Sequence, residues 1–159
     1  MDGLADVVVD VTVPSHAGVH DYPKASGSFA FACRTGCTLG DDHSKLGAAG
    51  GLPFGHLTFD KIDVRGVVQA GHVEVSRWQV ESKDVTLTAT LQIDLATKLD
   101  DSPIEGCVRF KPAADLATRD PKTSAVIATT GALQGPDGVY SIKLGGTLGK
   151  RKMLGQVCT

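Results

Sequence analysis

No stretch of this 159-residue sequence approaches the roughly 18 consecutive apolar residues of a membrane-spanning helix. Nor does a charged and then apolar signal sequence open it. Met1-Asp2-Gly3 leads straight into a strand-like run, as expected of a cytosolic protein or of a soluble piece of an exported one. An excess of one charge is missing too. Sixteen basic against eighteen acidic residues leave a net charge of -2, which gives no electrostatic reason to expect nucleic acid or an anionic membrane surface as partner. The one basic cluster, Lys150-Arg151-Lys152, is short and reads as a solvated tail.

The motifs of chemistry are also absent. The glycine-rich connector 41 to 56 contains no Walker-type phosphate loop, and no GxGxxG stands between a strand and a helix, so its glycines are turn residues. There is no GxSxG elbow and no HExxH. Of the histidines His16, His20, His43, His56 and His72, the first pair has the spacing of a helical metal site. However, Pro14, Gly18 and Pro23 make that segment a loop, and His72 reads as a solvated strand residue. The paired acids Asp41-Asp42 and Asp100-Asp101 lie beside turns. The single tryptophan, Trp78, is expected as a core anchor. The expectation is therefore a protein without catalytic residues, metal or cofactor, acting by binding, scaffolding or assembly.

What is present is a succession of strands. Val7, Val9, Val11 and Val13 alternate with Val8, Asp10 and Thr12, and Phe29, Phe31 and Cys33 alternate with Ser28, Ala30 and Ala32. The meander 57–95 contains Ile62 and Val64, then Val73 and Val75 after the turn at Ala70-Gly71. Its apolar phase slips near Ser76-Arg77, as at a β-bulge, before Trp78 and Val80. In "DVTLTATLQIDL", Val85 to Leu95 alternate without a break against Asp84 to Asp94, which predicts an antiparallel sheet with one wet face. After the strand Ile104, Val108, Phe110, the chain changes character at Pro112. Short helices are predicted over 113–118 and 121–130, the second opened by Asp120-Pro121, within a helical insert spanning 112–130. Gly135-Pro-Asp-Gly138 then turns the chain into a C-terminal strand over 138–148.

The fold class that follows is mainly β: one domain, 1–159, of curved antiparallel sheet with a short helical insert near 112–130. The sheet is a meander, a sandwich or a taco-like roll. Leu116, Val126 and Ile127 are the insert's only bulky side chains, too few to cover about seven strands. If the cover is incomplete, Leu87, Leu91, Ile93, Phe110 and Ile142 would line an apolar groove suited to a lipid chain.

The four cysteines leave several readings open. Cys33 and Cys37 flank a turn and fit a local disulfide in an oxidising compartment, with free thiols or a metal site as alternatives. The disulfide is the prediction here. Cys107 and Cys158 lack the paired spacing of a zinc ribbon, and the spacing does not decide their pairing.

The block "CVRFKPAADLATRDPKTSAVIATTGALQGPDGVYSIKLGGTLGK", residues 107–150, resembles the C-terminal part of type II secretion system protein N. The shared pattern is a strand ending in Phe-Lys-Pro, two short helices, Pro-Asp-Gly-x-Tyr and Gly-Thr-Leu-Gly. The meander before it is also similar, so the resemblance covers 57–150. It implies a non-catalytic periplasmic component of the machinery that exports folded proteins. It also implies other secretion-system proteins as partners and a tether to the inner membrane through a segment outside this chain. At the level of architecture the sequence also resembles AsmA-like proteins, which implies carriage of a lipid in a sheet-lined groove as the alternative.

Overall fold

The computed structural model describes residues 5–34, 36–39, 45–46, 52–53 and 57–158, with the backbone alone at 38–39, 45–46, 52–53, 57–58, 123 and 126. The expectations placed on His43, His56, Asp41-Asp42 and the glycines between them fall outside the described residues. In chain order the strands begin with β1 (Ala5–Thr12), β2 (Ser15–His16), β3 (Val19–His20), β4 (Ser26–Cys33) and β5 (Cys37–Leu39). Next come β6 (Lys45–Leu46), β7 (Leu52–Pro53), β8 (Leu57–Phe59), β9 (Lys61–Gln69), β10 (His72–Glu81), β11 (Val85–Asp94) and β12 (Ile104–Pro112). Helices α1 (Leu116–Arg119) and α2 (Pro121–Thr129) follow, then β13 (Leu133–Gln134), β14 (Tyr140–Gly146) and β15 (Arg151–Leu154).

Nine strands form one antiparallel sheet in the order β1-β4-β9-β10-β11-β12-β14, with β13 and β15 both paired to the outer side of β14. The other six strands form three two-stranded pieces, β2-β3, β5-β8 and β6-β7. Of the arrangements open to the sequence, the structure takes the open, curved sheet, in a single layer.

The register collects the apolar alternation of every strand on one face. Val9 lies opposite Phe29, Val7 opposite Phe31, Phe31 opposite Val64 and Val64 opposite Trp78. Farther along, Val73 meets Ile93, Val80 meets Leu87, Leu87 meets Phe110, and Val108 meets Ile142. Because side chains alternate with a period of two, one matched pair per strand fixes the whole face.

The slip foreseen in β10 is present: its register shifts between Glu74 and Arg77 against β9, and between Val75 and Gln79 against β11. Gly66 sits across from this bulge, under the ring of Phe29. A Cβ there would meet the Phe29 ring, with Cε1 at 2.7 Å, and the Glu74 carbonyl oxygen at 2.9 Å. The glycine is a site of close approach, the usual reason for one inside a strand.

The packed core lies at the Ala70-Gly71 end, where Ala25, Val68 and Val73 are buried with Val13, Phe29, Ile93 and Leu95 around them. Ala70 and Gly71 have φ of 47° and 77°, as a two-residue hairpin loop that matches strand twist requires. The backbone of Pro23 lies on Gly71, and the Gly71 N–H donates to the Ala25 carbonyl at 2.9 Å, so the segment between β3 and β4 caps this end.

The insert covers the other end. Leu116 is only 2 % exposed, and the Ala113 N–H donates to the Asp84 carbonyl at 2.9 Å, joining the insert to the β10–β11 turn. Arg119 bridges the Asp84 and Asp115 carboxylates. Between these two ends the cover thins, and Trp78, expected as a core anchor, is half-buried on the apolar face, with no second layer over it among the described residues. Of Lys150-Arg151-Lys152, expected as a solvated tail, Arg151 and Lys152 open β15, and all three residues are exposed. The outer side of β14 offers unpaired backbone groups, and the tail satisfies them.

Candidate functional site

An open sheet offers its edges before its faces, and the two edges here differ. At one, β1 has a neighbour only on its β4 side among the described residues. Its sequence, Ala-Asp-Val-Val-Val-Asp-Val-Thr, has no lysine and no proline, the residues that usually blunt an edge. All eight residues are exposed, and Val7, Val8 and Val9 are 60 %, 62 % and 67 % exposed. Val8 projects on the polar face and Val7 and Val9 on the apolar one, so the edge is apolar on both sides. Its ionised groups are Asp6, paired with Arg34 at 3.5 Å, and Asp10, which has no ion-pair partner among the described residues.

The far edge is built from two pieces. Arg151 to Leu154 pair with Gly146 to Lys143, and Leu133 and Gln134 pair with Ser141 and Tyr140. The two segments therefore run end to end in the same direction. Gly155, just beyond β15, lies against the Gly131 carbonyl, two residues ahead of β13. This composite edge is basic through Arg151 and Lys152, and it exposes Leu133, Met153 and Leu154.

The five side chains expected to line a groove share the apolar face but not one cavity. Phe110 and Ile142 are buried, and Phe110 stacks on Tyr140 with ring centroids 5.4 Å apart. Leu87 and Phe110 line a hollow of about 170 Å³, Ile93 packs on the Ala25 core, and Leu91 touches a different cavity. A hollow of about 290 Å³ lies between the insert and the sheet, lined by Leu116, Ile127 and Tyr140 among others.

A cavity of about 590 Å³ lies on the polar face, where Glu74, Thr90, Gln92, Glu105 and Lys143 meet the C-terminal residues Gln156 to Cys158. Lys143 Nζ stands 3.1 Å from a Glu105 carboxylate oxygen there. Nearby, His72 Nδ1 is 2.6 Å from Asp94 Oδ1 at an exposed position. His16 and His20 fall in the β2-β3 hairpin, and the His20 ring stands 5.9 Å from Tyr22. Among the described residues no three His, Cys, Asp or Glu side chains come together as a metal site.

Cys33 and Cys37 stand at disulfide distance, with Cα atoms 6.4 Å apart, and both are buried. Cys107 and Cys158 form a second such pair at 5.9 Å, tying the tail to β12 across the polar face. This second pair was illegible in the sequence, because 51 positions separate its members and only the path of β15 brings them together. Two disulfide-distance pairs are compatible with an oxidising compartment. No helix among the described residues is long and apolar enough to cross a membrane.

Titratable groups respond most clearly at the insert. The guanidinium of Arg119, hydrogen-bonded to Asp115, holds that carboxyl below the ordinary aspartate value, while the two carboxylates push Arg119 up. Asp21 raises Lys24 in the same way. These are exposed surface pairs, with structural rather than chemical consequences.

No model of a protein family matches the chain, and none of the curated proteins or solved structures matches it either.

Proposed function

We propose that this protein is a non-catalytic assembly module that binds other proteins by strand addition, working in the periplasm within a type II secretion machinery. The observation that carries the first part is the β1 edge: eight exposed residues, valine on both faces, with no lysine or proline to block pairing. A partner strand laid there gains backbone hydrogen bonds along its length, and the valines supply contacts on either side. The two disulfide-distance pairs support an oxidising location. The resemblance of 57–150 to type II secretion system protein N supplies the machinery.

The AsmA-like alternative, carriage of an apolar ligand, fits the cavities less well. The hollow beside Leu87 and Phe110 holds about 170 Å³, below the roughly 300 Å³ at which ligand pockets begin.

Hydrogen exchange tests the proposal. Periplasmic domains of type II secretion proteins are expected to slow exchange of the amides across Ala5–Thr12. Unchanged exchange in β1, with or without protection elsewhere, would overturn strand addition as the mode of binding.

A further inference from the structure

Eight strand positions lie across the sheet, counting the composite β13/β15 edge as one, and every neighbouring pair is antiparallel. An even number of alternating positions has a geometric consequence. If β1 runs up, the far edge runs down, so a second copy in the same orientation presents its own upward β1 antiparallel to that edge. The apolar faces of the two copies then lie on the same side.

We infer that the strand added at the β1 edge is the composite β13/β15 edge of a second copy of this chain, so that copies join head to tail into one continuous sheet. The inference rests on the strand-addition reading above and names its partner. Three further observations carry it. The lengths agree: β1 has eight residues, and the composite edge spans the seven positions opposite Tyr140 to Gly146. The charges are complementary where they meet: Asp10 on β1 and Lys152 on β15 both project on the polar face, and neither has an ion-pair partner among the described residues.

A register also exists that satisfies both faces. Placing Lys152 opposite Asp10 puts Met153 against Val9 on the apolar face, because Met153 shares the row of Leu144 and Val9 that of Phe29. The same register puts Leu154 against Val8 on the polar face. Four side chains that are exposed in the single chain, Val8, Val9, Met153 and Leu154, are covered together.

Joining like edges is less favourable. A β1-to-β1 contact gathers four aspartates on one face of the junction, and a β15-to-β15 contact gathers four basic residues, where opposed like charges destabilise strand pairing. The head-to-tail contact does not close on itself, so assemblies grow with concentration rather than stopping at a dimer.

Sedimentation velocity of the purified, oxidised protein over a concentration series tests this. Wild type is expected to sediment faster as concentration rises, and less so at high salt, which screens the edge charges. Asp10→Lys and Lys152→Asp, each checked by circular dichroism, are expected to associate about tenfold more weakly when alone. An equimolar mixture of the two is expected to recover association, because each supplies the charge the other lacks. A wild type that stays monomeric, single variants that associate as well as wild type, or a mixture that recovers nothing would each overturn the copy-to-copy contact. Protection of β1 amides by secretion-system domains alongside a monomeric wild type would leave the strand-addition reading standing without it.

Discussion

Replacing both Cys107 and Cys158 with alanine separates two effects that a reducing agent would merge. A disulfide stabilises chiefly by restricting the unfolded chain, and the restriction grows with the loop it closes. For the 51-residue separation of Cys107 and Cys158, the chain-entropy relation gives about 4 kcal/mol at 25 °C. For the separation of four between Cys33 and Cys37, it gives about 2 kcal/mol. The 107/158 double variant should therefore lose about twice as much stability as the 33/37 double variant. In a chain of this size the larger loss lowers Tm by about 8–16 °C, at 2–4 °C per kcal/mol. Urea denaturation under non-oxidising, metal-free conditions is the assay, and the denaturant slope should also rise, since an unlinked unfolded chain exposes more surface. Thiol titration of the unreduced, denatured wild type should find no free cysteine. Equal losses in the two variants, or a larger one for 33/37, would refute the reasoning. So would four titratable thiols in the wild type.

Two further perturbations probe the sheet and the insert. Gly66→Ala should cost about 1–3 kcal/mol, as expected for overpacking, because its methyl meets the Phe29 ring and the Glu74 carbonyl; Gly145→Ala, with no atom within 4 Å of its added carbon, is the matched control. Equal urea midpoints for the two variants would remove the close-approach argument. At the insert, Asp115 is held below its ordinary value of 3.8 by Arg119, so its contribution is present above that value and fades as pH falls through the depressed one. A carbon-detected NMR titration should show Asp115 titrating below the ordinary aspartate value in wild type and returning to it in Arg119→Ala. A wild-type midpoint at or above that value would contradict the pairing.

The strands were legible because alternation is a local signal. Val85 to Leu95 needed no knowledge of their neighbours to declare one wet face, and the slip at Ser76-Arg77 declared a bulge from phase alone. The proline openings of the insert were equally local. What the sequence concealed was set by distance. Arg151 and Lys152 gave no sign of a strand because their strand character comes from β14, not from their own side chains. Cys158 finds Cys107 only after β15 has docked. Trp78 looked like a core residue because its size predicts burial, but burial depends on a second layer, and the local pattern carries no information about one. The groove set meets the same limit: a shared face could be read from alternation, a shared cavity could not. The edge site falls in between, since the valines of β1 were plain while their place at a boundary of the sheet was not.

The Cys107–Cys158 bond has a mechanical consequence as well as a thermodynamic one. It closes a covalent ring around the insert, β13, β14 and β15, so tension applied at the two chain ends passes from Cys158 directly into β12 and bypasses everything between. The 51 residues of the ring are then withheld from extension. At about 3.3–3.6 Å per residue, the chain with this bond pulls out roughly 170–180 Å shorter than the same chain without it. The C-terminal third of the molecule is thus shielded from load, and the force is borne by the strands from β1 to β12.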